Sequence, residues 1–542
     1  MNKVYPDILI KPTLLLGFCL LLVFGACQKK EILGEDPYAG GKEALGVRFI
    51  GDFPDPESGA PGSEVTFKIR GLKSWENKFD FFINDELAEV VDLTDSTVRV
   101  IVPEEASSGG ASVRLDGQVF FGPRVNIEGN VSIDENYKVV NGTNGPIADA
   151  IPFQSGLVLV GAFTDFEGKA TTAARINRMV SISSLGEYQA NINARKGSNG
   201  FLSSINRLSD GKYIVSGLFT AYNDIEGINS ITRLNADFSV DSTIMDVINL
   251  TPENPLNALD TVATFNGGVF GNILNSYVST TEKGEQITVV GNFQQYGSFF
   301  YERATRDHKP MDISSVRQVI RLSPDGQLDS AYNFNEATKK FNTGGNGDIL
   351  GSVLMADNKL VLVGNFTSFH GKTANRIVRL DANGQVDPTF NAGSGANEFI
   401  SSIQYDATSD KFILVGRFTT FNGQPANRVV RLNGDGSVDN SFKILEFAGG
   451  EPNFAYQLKN GKVIVSGTFE KYNNVIRRGF LVLNNDGSVT QKYNNVGRFE
   501  GSISKVVETT SALGNPAVIL MGYIRTFNDQ QTGNIVRVEI KD

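Results

Sequence analysis

At 542 residues the chain is longer than one ordinary domain, and its 57 Gly, 37 Phe and 40% hydrophobic share suit an all-β protein with many tight turns while excluding wholesale disorder. The formal net charge of −10, with no dense Lys/Arg block, excludes a nucleic-acid partner, whose phosphates need a basic footprint.

Residues 1–26 read as a targeting segment. Lys3 and Lys11 flank its start, and the apolar run LLLGFCLLLVFGA extends from Leu14 to Ala26. That run is too short to span a bilayer as a helix but suits the hydrophobic region of an export signal. It ends in Phe24-Gly25-Ala26-Cys27, which resembles the bacterial lipobox, although Phe24 stands where Leu or Val is commoner. The resemblance implies cleavage before Cys27 and lipidation of its sulfur, so that the lipid anchor makes the membrane a partner. Gln28 in place of Asp implies the outer membrane. Cys19 is the only other cysteine and lies inside the apolar run, so the exported chain forms no internal disulfide and depends on its core alone. Residues 27–46 give the lipidated cysteine and a polar, Gly-containing tether.

Residues 47–128 hold five or six short alternating strands, the pattern of a small immunoglobulin-like sandwich. Gly59…Gly62, the strand Val65-Thr66-Phe67, the turn at Asn84, Asp95-Ser96-Thr97, Val102-Pro103 and Ser108-Gly109 resemble the IPT/TIG family, whose domains act as spacers or binding modules. Trp75, the only tryptophan, is a candidate binding platform here, set against a plainer role as a half-buried residue at a strand end.

Repeats fill residues 129–542. The segments VLVGNFTSFHGKTANRIVRLDANGQVDPTF (361–390) and ILVGRFTTFNGQPANRVVRLNGDGSVDNSF (413–442) are near copies, and five looser copies share their opening. The glycines closing the opening strands are Gly161, Gly217, Gly291, Gly364, Gly416, Gly467 and Gly522, at spacings of 56, 74, 73, 52, 51 and 55 residues. Each unit offers a buried apolar strand, an aromatic pair, a turn such as Asn422-Gly423, a second strand, and a two-residue turn such as Asp435-Gly436, Asn383-Gly384, Asp325-Gly326 or Asp486-Gly487 that suits type I′. Four strands per unit, repeated seven times, predict a seven-bladed β-propeller. Residues 130–156 match the second half of a unit and the C-terminus its first half, which predicts a ring closed by joining 131–153 to a strand near 535–540. The repeats resemble the delta-60 repeat family, which implies a propeller-like fold and no particular chemistry.

No GxSxG, HExxH, GxxxxGK[ST] or CxxC occurs, and His308 and His370 are the only histidines, which speaks against a histidine triad or a multi-histidine metal site. Ser502…Lys505 matches SxxK at a frequency expected by chance. The loops at 323–329, 381–387 and 433–439 superficially resemble calcium loops. Turn chemistry accounts for them, with Asp329, Asp387 and Asp439 bracing neighbouring strands and Arg233, Arg321, Arg379 and Arg431 repeating as their ion-pair partners.

Function is then expected where one unit departs from its siblings. Two spacings are about 20 residues too long. One excess lies in 245–286. The other is a long loop at 294–315, which gathers Tyr296, Phe299, Phe300, Tyr301, Arg303, Arg306, His308 and Lys309 as candidate ligand-binding residues, because rings beside charged donors suit sugar stacking or partner anchoring. The expectation is an outer-membrane lipoprotein that binds glycan or peptide beside a transporter, without cofactor or metal and not as an enzyme. The alternatives are a scaffold or adhesion component of an envelope complex, and a carboxylate-based glycoside hydrolase or lyase.

Overall fold

The computed structural model describes residues 44–194 and 196–541; the segment expected to direct export, Cys27 and the expected tether up to residue 43 lie outside the described residues. From Arg48 onward the chain packs as one compact all-β unit. It opens with eight strands between Arg48–Phe49 and Gln118–Ile127 on one continuous pairing path, rather than five or six. The strand Glu86–Leu93 pairs first with Phe79–Ile83 and then with Thr97–Ile101, so it passes from one layer to the other. Phe49 packs edge-on against Phe67 and Phe81, whose rings are tilted to each other with centroids 5.0 Å apart.

Seven sheets follow. Their innermost strands are Ile147–Phe153, Phe201–Arg207, Gly268–Thr281, Ile349–Leu354, Ile400–Asp406, Pro452–Gln457 and Glu500–Thr510, and each neighbours the next, with the seventh beside the first. The second strand of each blade is buried over its central run, and throughout in Leu360–Gly364, which explains its unbroken apolar sequence. The glycine ending that strand is a steric requirement, since a Cβ on Gly364 would be driven into the carbonyl of Asp348, just before the innermost strand. All seven closing glycines meet a backbone carbonyl in or just before the innermost strand in the same way, and that is why they count the blades.

Three expectations need correction. The fourth strand is a single bridge in five blades, for example Leu380↔Val386 and Leu432↔Val438; only the first blade (Tyr188–Gln189) and the last have a true outer strand. The last blade takes that strand from Val131–Ile133, paired to Ile535–Ile540, whereas Ile147–Phe153 belongs to the next blade. The turns at Asn383-Gly384, Asp435-Gly436, Asp325-Gly326 and Asp486-Gly487 are not type I′, because only the glycine has positive φ. Gly384 N donates to Asp381 O, and Asp381 N to Gln385 O, a three-residue loop ending in a left-handed glycine. Type I′ geometry falls instead at Asn422-Gly423, where φ is 46° and 74°.

The repeated arginines pair with the trailing aspartates as expected. Arg233–Asp241, Arg321–Asp329, Arg379–Asp387 and Arg431–Asp439 lie at 2.6–2.9 Å. Arg537–Asp134, at 2.6 Å, does the same across the ring closure. Each guanidinium also donates to the neighbouring blade: Arg233 to Pro324 O, Arg321 to Ala382 O, Arg379 to Gly434 O, Arg431 to Asn485 Oδ1 and Arg537 to Ser184 O. A ring covers the cation in four of them, from Tyr332, Phe390, Phe442 and Tyr137. Burial alone would raise the carboxyl of Asp439, but hydrogen bonds from Ser441, Lys411 and Arg431 outweigh it and hold the group well below the usual carboxylate range. Two seams lack the clamp, with Val482 in blade 6 and Ser181 in blade 1 at the arginine position.

The first domain docks at one of these seams. Ser108 N and Oγ donate to Asn495 O at 2.8 and 2.9 Å, and Asn495 Nδ2 donates to Ile127 O and Val131 O. Arg477, buried, pairs with Glu105 at 2.7 Å and Arg478 with Asp85 at 2.6 Å, while Arg124 pairs with Asp529.

Candidate functional site

The two over-long segments meet. The connection from blade 2 to blade 3 folds as a hairpin, Ser242–Asp246 against Leu259–Ala263. The segment 294–315 is not a loop. The strand Gly284–Phe299 runs on out of its blade, turns at Tyr301–Arg303, and returns as Met311–Ser315, with Gln295 opposite Ser315 and Phe299 opposite Met311. Backbone pairing supplies the order that the sequence did not show. Ile248 bridges Thr305 and donates its N–H to Ala304 O at 2.8 Å. Lys309 pairs with Asp260 at 2.7 Å, and Arg306 donates to Asn257 Oδ1 at 3.0 Å.

The candidate residues separate by role. Tyr296 is buried in the blade core, where its hydroxyl donates to Gly326 O, so it is a structural residue and not a ligand contact. Phe299 and Tyr301 stack with centroids 5.8 Å apart and are half-buried. Burial, with the Asp260 carboxylate adding to it, pushes the Tyr301 hydroxyl up to about 12. Phe300 is 42% exposed, with the Arg303 guanidinium 5.2 Å from its ring centroid. Arg303, Arg306 and His308 are exposed. Trp75 is half-buried in a short 3₁₀ turn of the first domain. That domain docks on blades 6 and 7, so Trp75 is not brought to the others on blade 3.

The stacked pair lines two hollows. One, of about 720 Å³, is lined by Ile244–Ile248 together with Phe299–Glu302. The other, of about 620 Å³, carries Asn223, Asp224, Glu226, Asp260, Asp307 and Lys309 around the same rings. Ile244 and Ile248, 65% and 50% exposed, were not singled out by sequence reasoning, nor were the carboxylates of the second hollow. The length excess at 245–286 was the available signal, but it named a segment and no residues. The sheet-to-sheet axis holds a third space of about 560 Å³, lined by small polar residues such as Ser204, Ser276, Ser352 and Ser402, with the ion pair Lys505–Asp149 at 2.8 Å. Lys505 of the SxxK match is thereby engaged by a carboxylate. The calcium-like Asp381 caps its own turn, its Oδ1 accepting Asn383 N and Gln385 N.

Residues 25–123 match a domain of unknown function (DUF5008), and residues 208–243, 356–390, 409–442 and 458–489 match a β-propeller domain of unknown function (DUF5122). No curated protein matches the chain. Among solved structures, a structural genomics protein of unknown function from Bacteroides thetaiotaomicron aligns over 92% of this chain and 99% of its own, at 12% identity and a TM-score of 0.24. The Cps50 (Swd1) β-propeller domain of Myceliophteria thermophila aligns over 73% and 100%, at 8% identity and a TM-score of 0.34. An auxiliary nutrient binding protein from Bacteroides ovatus aligns over 68% and 95%, at 13% identity and a TM-score of 0.19. The chain carries a DUF5008 domain and, after it, a DUF5122 β-propeller.

Proposed function

We propose that this chain is a lipid-anchored envelope protein that binds a saccharide on the twin-hairpin platform of blades 2 and 3, and that it binds without transforming its ligand. The carrying observation is the convergence of the two extra hairpins on one stacked pair, Phe299 and Tyr301, with Phe300 exposed beside it and carboxylates and an amide on the rim of the second hollow. Flat apolar rings beside fixed acceptors suit a sugar, whose C–H face stacks while its hydroxyls donate. Ordering this much extra chain costs about 1–2 kcal/mol per residue of backbone entropy, and the ring is complete without it in the regular blades. The test is titration of neutral oligosaccharides against the wild-type chain and Phe300→Ala/Tyr301→Ala. The double variant is expected to lose binding roughly tenfold or more while keeping its melting temperature. Unchanged binding in the variant, or no saccharide bound by the wild type, overturns the reading. The anchor is tested separately: Cys27→Ser should abolish fatty-acid labelling and release the chain from membranes.

A further inference from the structure

Beyond the platform, the top of each blade carries a small repeated device. Three residues past the closing glycine stands a threonine whose hydroxyl accepts from an asparagine on the approach to the innermost strand. The pairs are Asn144–Thr164, Asn199–Thr220, Asn346–Thr367 and Asn397–Thr419, at 2.8–3.0 Å. The same asparagine Oδ1 accepts two backbone N–H groups in each case. The device satisfies backbone donors at a strand end, so it is structural where it occurs. It is absent from three blades. In blade 3 the two positions are Phe270 and Gln294, and there the platform hairpins emerge. In blades 6 and 7, which are neighbours, the positions are Gly449 with Glu470 and Glu500 with Arg525.

These second departures also surround a hollow, of about 510 Å³, lined by Glu470, Arg478, Arg498, Glu500, Tyr523 and Arg525 among others. Two of its three arginines are engaged. Arg478 pairs with Asp85 at 2.6 Å, and Arg498 lies 3.3 Å from Glu470 and 3.8 Å from Glu500. The Arg525 side chain is exposed, and its guanidinium has no hydrogen-bond or ion-pair partner among the described residues. Tyr523 is 51% exposed and stands two residues before it on the strand Pro516–Phe527. Residues two apart on a strand share a face and are spaced by roughly 6.5 Å, about the width of one sugar ring. The siblings at the tyrosine position are Ala162, Leu218, Asn292, Asn365, Arg417 and Thr468; none is aromatic. An aromatic face and a free guanidinium fork therefore appear together, once, at a site where the structural device has been given up.

We propose that the hollow between blades 6 and 7 is a second ligand site that takes an acidic saccharide, with Tyr523 stacking on a uronate ring and Arg525 gripping its carboxylate. The guanidinium offers two parallel donors matched to a carboxylate. Arg478 and Arg498, already neutralised, shape the wall and supply no net pull. This site stands or falls independently of the platform, since the two share no residues.

The experiment is calorimetric titration of the full-length protein in detergent with trigalacturonate, its methyl ester and a tetraglutamate peptide at physiological salt. Trigalacturonate should bind, and Arg525→Ala and Tyr523→Ala should each weaken it roughly tenfold or more, as losing a charge-assisted or stacking contact does. The neutral methyl ester should be weakened to a similar degree, Phe300→Ala/Tyr301→Ala should leave trigalacturonate binding intact, and both single variants should keep the wild-type melting curve. Failure of the wild type to bind trigalacturonate, or binding indifferent to Arg525→Ala, overturns the proposal. Preference for the glutamate peptide, sensitive to Arg525 and indifferent to Tyr523, makes it a peptide site and overturns the saccharide assignment.

Discussion

Arg379 shows how a repeated residue acquires its meaning. Its Nε pairs with Asp387 at 2.9 Å, its Nη1 donates to Gly434 O of the next blade at 2.6 Å, and Phe390 covers the cation. Removing one partner of a buried pair strands the other, so Arg379→Ala should cost about 3–5 kcal/mol in denaturant unfolding, and Arg379→Met with Asp387→Leu should recover a large part of it. A double variant as unstable as the single would show that the cross-blade bond, and not the stranded charge, carries the cost. Burial, the largest single effect, would raise the carboxyls of Asp241, Asp329 and Asp387, but hydrogen bonds and nearby cations together outweigh it and hold them low. Their contribution is present above the unfolded carboxylate value near 4 and fades as pH falls below it. His370 acts in a higher window. Burial, helped by Lys372, lowers its pKa to about 4, and neither ring nitrogen has a hydrogen-bond partner among the described residues. The unfolded chain takes up a proton near pH 6.5 and the folded chain only near 4, so stability should be level above pH 6.5 and fall as pH drops from 6.5 to 4, by on the order of 2 kcal/mol. His370→Asn, which copies Asn422 of the next blade, should flatten that slope in melts recorded across the window. The recurrence of Arg and Asp was legible because one geometry recurs. The turn type was not, because Asn-Gly and Asp-Gly serve both a two-residue I′ turn and a longer loop, and only strand register tells them apart.

At the scale of elements, excess length was legible and its form was not. A stretch rich in rings, charges and turn residues has the composition of a loop, yet Gln295 to Phe299 pairs residue by residue with Ser315 to Met311. Cross-strand pairing overrides local propensity there. The consequence is that neighbouring rings have opposite fates. Tyr296→Phe removes a buried hydroxyl donor and should cost about 1–2 kcal/mol, with saccharide binding intact. Phe300→Ala, at an exposed ring, should change stability by less than about 0.5 kcal/mol and weaken binding. Melting and titration on the same two variants decide this, and a reversal of the pattern would move the site to another part of the platform. The partner hairpin, Ser242–Asp246 with Leu259–Ala263, escaped residue-level reading because its contacts to Thr305 and Ala304 join segments that are remote in sequence.

At the scale of the whole molecule, ring closure rests on one strand and one clamp. Val131–Ile133 pairs with Ile535–Ile540, and Arg537 reaches Asp134. Deleting residues 534–542 strips blade 7 of its third strand and unpairs its fourth, and the melting temperature should fall by about 10 °C or more, given roughly 2–4 °C per kcal/mol in domains of 150–250 residues. A truncated chain that melts with the wild type would sink closure at this seam. The seven-fold count and the staggered ends were legible because each closing glycine is demanded by the same near-collision. The docking of the first domain was not, since it rests on single contacts such as Ser108 with Asn495.

That docking sets a distance. The first domain grips the junction of blades 6 and 7 through Arg477, Arg478 and Arg124, and in a ring of seven the blade diametrically opposite that junction is the third. Blade 3 bears the platform, built on the same second-to-third-strand hairpin that in blade 7 meets Arg124. Mount and platform therefore lie on one face at opposite ends of a diameter. Were the proposed anchor at Cys27 to carry the load through the first domain, the platform would overhang like the free end of a cantilever, on the blade opposite the docked domain. The hollow between blades 6 and 7 lies at the docked end, where its Arg478 meets Asp85 of the first domain.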